Sequence, residues 1–193
     1  MKSLKALIIG LVGLPGAGKT TVAKYLEKKG FTRVTLSDFI KEEVVKEGIT
    51  DFTREILQDY GNKMRDQFGP QVLAQLALNK MKTDGISKAV VDGIRNIHEV
   101  ACLEAENNFH LVGIVAKPSV RYQRLLMSKG KSWVGSYKEF LQQEKREDHL
   151  GSQKLGLRVT DCLQKAQYTI YNDGSVEDFY KKLDQVSKKF FIS

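Results

Sequence analysis

The sequence predicts an α/β fold, a five-stranded parallel sheet with helices on both faces, and three observations carry that expectation. Short apolar runs alternate with longer amphipathic segments, the pattern of buried parallel strands joined by helical crossovers. The first run ends in a glycine-rich turn that opens a helical pattern. The third ends in an acid, and open parallel sheets bind their ligands at the carboxyl ends of such strands.

The first strand is read at residues 6–12, and Gly13-Leu14-Pro15-Gly16-Ala17-Gly18-Lys19-Thr20 follows it directly as G-x-x-x-x-G-K-T. Strand, loop and helix occur in the order that a phosphate-binding P-loop requires. Small residues let successive backbone N–H groups converge on phosphates, while Lys19 supplies a point charge to the β and γ oxygens. The Thr20 hydroxyl suits Mg²⁺, and the helix opening at Thr21 adds its N-terminal dipole. Gly13, Pro15, Gly16, Ala17, Gly18, Lys19, Thr20 and Thr21 are therefore the expected nucleotide contacts.

The second strand is read at residues 34–36, the third at 89–91, the fourth at 111–116 and the fifth at 168–171. Two stretches interrupt the alternation. Residues 38–84 carry successive helical patterns with no strand between them: Phe52, Ile56, Tyr60 and Met64 recur every fourth residue, Gly69-Pro70 stops that helix, and Leu73, Ala77 and Met81 mark the next. This is expected to be an all-helical, acceptor-binding insert. Residues 118–150 hold the basic turn Ser128-Lys129-Gly130-Lys131, and Ser136 with Glu139 forms a capping-box pattern. They are expected to form a small lid. In the last helix, Phe179, Leu183, Val186 and Phe190 follow core spacing. One domain over residues 1–193 is expected.

Asp92 closes the third strand in Val90-Val91-Asp92-Gly93-Ile94-Arg95, where it can hold Mg²⁺ or its water shell; the competing reading is a cap for the helix beginning near Asn96. Gly93 allows a ligand close to the backbone, and Arg95 projects into the same cleft. Phosphoryl transfer asks mainly for positioning and positive charge, which arginine supplies best. Arg54 and Arg65 lie about three helical turns apart and are expected on one acceptor-facing side. Gly61 between them suggests a kink or a close ligand approach, because glycine inside a helix costs roughly 1 kcal/mol against alanine. Arg124 is the first choice for a lid arginine at the transferred phosphoryl group, then Arg121 and Arg146.

At these residues the chain resembles the nucleoside monophosphate kinases and the related dephospho-coenzyme A kinases. Asp92-Gly93-Ile94-Arg95 is similar to the Asp-Gly-Phe-Pro-Arg segment of adenylate kinases, one residue shorter, which implies that Arg95 holds the acceptor phosphate, with Gly93 a substrate contact through its backbone. Ser37-Asp38 resembles the acceptor-side acid of dephospho-coenzyme A kinases. Residues 121–125 resemble the helix leading into the lid and residues 172–175 the adenine-side loop, implying nucleotide contacts from Arg121, Asn172 and Gly174. Residues 57–62, 91–96 and 172–175 resemble the kinase-like domains that accompany deoxycytidylate deaminases, without the deaminase signature. The resemblance implies ATP- and Mg²⁺-dependent transfer to a small phosphorylated acceptor such as a nucleoside or deoxynucleoside monophosphate, with dephospho-coenzyme A as the alternative.

Composition bounds the rest. The chain has 193 residues, 41% hydrophobic and 28% charged, and no apolar run long enough to span a bilayer. Its first apolar run is taken by the strand before the P-loop rather than by a leader peptide, so a cytoplasmic protein without a membrane partner is expected. Cys102 and Cys162 are expected to be reduced thiols. The net charge of +8 suits nucleotides or nucleic acid. A nucleic-acid-associated P-loop ATPase is the rival reading, but the aromatics are not interleaved with the basic residues. Asn79-Lys80-Met81-Lys82 lacks the aspartate of a guanine-reading motif.

Overall fold

The computed structural model describes residues 6–150 and 158–190. Five strands, β1 (Leu7–Val12), β2 (Thr32–Thr35), β3 (Lys88–Asp92), β4 (Phe109–Val115) and β5 (Tyr168–Tyr171), form one parallel sheet in the order β2-β3-β1-β4-β5. From β1 the chain crosses through α1 (Lys19–Glu27) to the sheet edge at β2 and returns through the helical insert to β3. It then passes to the other side of β1 to make β4. The carboxyl ends of β1 and β3 therefore lie side by side in the middle of the sheet, on the edge where open parallel sheets bind their ligands.

Alternation along the strands divides the core between the two faces. Ile9, Leu11, Val90, Val112, Ile114 and Ile170 pack against α1 and α10 (Val176–Phe190), with Phe179 and Leu183 buried as the spacing predicts and Val186 half-buried. Phe190 lies outside the described side chains. The opposite strand positions, including Ile8, Val34, Val91 and Leu111, pack against α2 (Leu36–Lys46), α4 (Val72–Thr83), α5 (Ile97–Glu104) and α9 (Val159–Gln164). A side chain as deeply buried as Leu11 or Ile114 contributes about 1.5–3 kcal/mol relative to exposure.

The insert between β2 and β3 is helical throughout: α2, α3 (Arg54–Phe68) and α4. Leu36, expected in the second strand, is the first residue of α2, because Thr35 is the extended N-cap. Phe52 falls outside α3 and is exposed, since Thr53 caps that helix by accepting a hydrogen bond from Ile56 N at 3.2 Å. Gly69 ends α3 with φ 97° as expected. Beyond β4, α6 (Pro118–Lys129), α7 (Lys131–Val134) and α8 (Tyr137–Leu150) gather around a small core of Leu125, Val134 and Phe140. The Ser136–Glu139 capping box is present: Ser136 N donates to Glu139 Oε2 at 2.7 Å and Glu139 N to Ser136 Oγ at 3.3 Å. Among the described residues no helix is long and apolar enough to cross a membrane.

Candidate functional site

The loop between β1 and α1 is built around three glycines that no other residue replaces without strain: at Gly13 an added Cβ would run into Ile114 O. Gly16 has φ 78°, and a Cβ there would meet Arg121 O at 2.7 Å; Gly18 has φ 114°, and a Cβ there would meet Asn172 Nδ2 at 2.5 Å. Other segments thus pack against the loop. Gly18 is also the N-cap of α1, with no side-chain cap and no acid in the first turn; Thr21 N already donates to Gly18 O at 3.0 Å, so it is the N–H groups of Lys19 and Thr20 that mark the uncapped positive helix end. Lys19 Nζ donates to the carbonyls of Gly13 at 2.6 Å and Leu14 at 3.3 Å. Burial lowers its pKa from 10.5 to about 8, against which the Asp92 carboxylate raises it while Arg95 and Arg121 lower it further. Lys19, Asp92, Arg95 and Arg121 therefore share one electrostatic neighbourhood. Thr20 is exposed at its mouth.

Asp92 is buried at the end of β3. It does not cap the following helix: Asn96 does, accepting from His98 N at 2.8 Å in a capping box with Glu99. Its Oδ2 instead takes Arg33 Nη2 at 2.5 Å across the β2–β3 pair. Sequence reasoning missed Arg33, because nothing local marks a strand arginine as the partner of an acid in the next strand. Gly93 adopts φ 94° and lies against the start of α2, 3.8 Å from Ser37 N to an added Cβ. The two expected acceptor segments, Ser37-Asp38 and Gly93 to Arg95, are thus brought together. Asp38 is exposed and pairs with Lys41 at 2.7 Å, and Arg95 is exposed beyond the turn.

The expected acceptor face of α3 does not form as read. Arg65 turns inward and is only 3% exposed, its Nη2 donating at 2.8 Å to Glu99 Oε1. Gly61 is close-packed by protein rather than by a ligand: an added Cβ would meet Ile40 Cδ1 at 3.0 Å and Arg65 Nη1 at 3.1 Å. The side chains of Arg54 and Arg146 lie outside the described residues.

Beside the P-loop, Arg121 is a fastener rather than an open cation. Its Nε donates to Ala116 O at 2.9 Å, its Nη1 to Pro15 O at 3.4 Å, and its guanidinium forms a forked ion pair with Glu144 of α8. It also lies over the Phe140 ring. Arg124, one turn on, donates from Nη2 to Asn172 Oδ1 at 3.3 Å, while its Nη1 is buried with no hydrogen-bond partner among the described residues. Asn172 Nδ2 donates to Ala17 O at 2.8 Å, so the residue after β5 joins the P-loop to α6. Gly174 is exposed in the loop that leads into α10.

The AAA domain family matches residues 9–142, from β1 into α8. A UPF0200 protein of Pyrococcus horikoshii is 33% identical over 190 residues, spanning 95% of this chain and 97% of the relative. Another, from Pyrobaculum aerophilum, is 32% identical over 181 residues, spanning 93% and 95%. Among solved structures, TT1252 from Thermus thermophilus superposes with a TM-score of 0.63 at 20% identity over 95% of this chain and 97% of that one. The shikimate kinase of Acinetobacter baumannii, solved with shikimate, gives 0.55 at 18% identity over 96% of each. The fold is that of the P-loop kinases.

Proposed function

The chain belongs to the AAA domain family and to the UPF0200 proteins, and from that premise and the site geometry we propose that it is an ATP- and Mg²⁺-dependent kinase. Its proposed acceptor is a small phosphorylated molecule, a nucleoside or deoxynucleoside monophosphate, converted to the diphosphate. The observation that carries this reading is the convergence of Lys19, Asp92 and Arg95 at the carboxyl ends of β1 and β3, opposite the start of α2.

The residues present fit an ATP–Mg²⁺ pair. The Lys19 ammonium already bonds to loop carbonyls, so phosphate oxygens offer it stronger partners of the same geometry. The uncapped α1 terminus supplies N–H groups to the same anion. Thr20 and Asp92 would hold Mg²⁺, an ion usually bound by one or two protein oxygens together with phosphates. That ion supplies charge neutralisation between the β and γ phosphates. Arg95 would clamp the acceptor phosphate, whose oxygen attacks the γ-phosphorus as the bond to the β-phosphate oxygen breaks and ADP leaves. Arg124 would add positive charge from the lid, whose closure excludes water.

A second reading has one specific observation in its favour. Asp38 sits in the first turn of α2, the helix whose first two residues, Leu36 and Ser37, lie against Gly93, and a carboxylate in that turn can take the proton of an attacking hydroxyl, as an alcohol acceptor such as dephospho-coenzyme A requires. The deciding experiment incubates the protein with Mg-ATP and a panel of nucleoside monophosphates, deoxynucleoside monophosphates, dephospho-coenzyme A and shikimate. A diphosphate product supports the first reading, and phosphorylation of a hydroxyl the second. ATP hydrolysis stimulated by nucleic acid, with no transfer to any of these acceptors, overturns both. With the productive acceptor, Arg95→Ala should raise acceptor KM and lower kcat while sparing ATP affinity.

A further inference from the structure

Glu99 is fully buried, and its single carboxylate gathers three donors from two places. Oε1 takes Arg65 Nη2 of α3 at 2.8 Å; Oε2 takes Arg95 N at 3.0 Å and Asn96 N at 3.2 Å. Arg65 reaches it across the helical insert, running beside Gly61 through a gap that a Cβ would narrow to 3.1 Å. A surface pair would contribute little, but two charges removed from water are held only by good geometry, and losing one strands the other. One guanidinium thus joins the acceptor-side insert to the backbone of the residue proposed to clamp the acceptor.

We propose that the buried Arg65–Glu99 ion pair is a positioning device that sets helix α3 and the Arg95 loop as one unit. Neither residue touches the reacting atoms. Arg65 fixes the Glu99 carboxylate, the carboxylate fixes the Arg95 and Asn96 amides, and the direction in which Arg95 leaves the backbone follows. Because that clamp works only in correct register with the acceptor, a small rotation of the loop lowers transfer without touching the P-loop. The inference rests on the acceptor role proposed for Arg95.

The test is the double variant Arg65→Met with Glu99→Gln, which leaves no buried charge unpaired and keeps an amide oxygen for the two loop N–H groups. Acceptor kcat/KM should fall by about tenfold or more, with ATP KM unchanged. Exchange of the Arg95 and Asn96 amides should quicken while the β1 amides hold their protection. Gly61→Ala, which crowds Arg65 without removing it, should move both readouts in the same direction by less, and stands in if the double variant does not fold. Wild-type exchange at those two amides overturns the proposal whatever the kinetics. So does unchanged acceptor kcat/KM in a protein that turns over. If the wild type transfers phosphate to no acceptor, the kinase reading fails separately, and the amide exchange alone decides for or against the device.

Discussion

Lys19 carries a charge that its own surroundings oppose. Burial lowers its pKa from 10.5 to about 8, so between those values the unfolded chain holds a proton that the folded chain releases, and stability rises with pH across that window. Nucleotide phosphates reverse the preference, favouring the charged ammonium. We expect ATP affinity to be level below pH about 8 and to fall above it, with proton uptake on binding. Titration calorimetry in buffers of different ionisation enthalpy reads both, and affinity that stays flat through that range would remove Lys19 from the phosphate site. Asp92 offers a second residue-scale test. Its Oδ2 is held by Arg33, so a metal ion must share or displace that partner. Arg33→Met should lower the Mg²⁺ concentration for half-maximal turnover and Asp92→Asn should raise it. Identical Mg²⁺ curves for wild type and Arg33→Met would make the pair purely structural.

At the scale of elements, the loop after β5 works as a brace. Asn172 bonds to the P-loop through Ala17 O and to α6 through Arg124, and its own N–H donates to Val115 O at 2.7 Å. Truncation strands a buried carbonyl and part of a guanidinium. Asn172→Ala should therefore cost about 1–3 kcal/mol of stability and raise ATP KM, measured by thermal unfolding and initial rates. A stable variant with raised KM would instead make Asn172 a direct nucleotide contact. The same brace explains why Gly18 is needed: the Asn172 amide occupies the space a Cβ would take.

For the whole molecule, the group of α6, α7 and α8 has its own core around Leu125, Val134 and Phe140, and the Arg121–Glu144 pair ties two of its helices together. Such a unit can close as one body over bound substrates. Hydrogen exchange across residues 118–150 should slow strongly with a bisubstrate analogue and only modestly with a nonhydrolysable ATP analogue. Arg124→Ala should depress transfer with no matching loss of affinity for either substrate. Full protection by the ATP analogue alone, or a silent Arg124→Ala, would rule out this closure.

The sequence by itself determined the five strands, the helical insert, the phosphate loop and the Ser136–Glu139 box, because each is written in residues close along the chain. Apolar period, turn glycines and caps act over a few positions. Two of its errors were local too: Leu36 opens α2 and Phe52 lies outside α3, since both fall at element ends where one cap residue decides. Only the tertiary structure decided what the charges do. The partners Arg121 and Glu144 are 23 residues apart, Arg65 and Glu99 34, and Arg33 and Asp92 59. An arginine at helical spacing looks the same in sequence whether it faces solvent or a buried carboxylate. Which of these it meets depends on the order of the strands and the packing of the insert, and no local period encodes that.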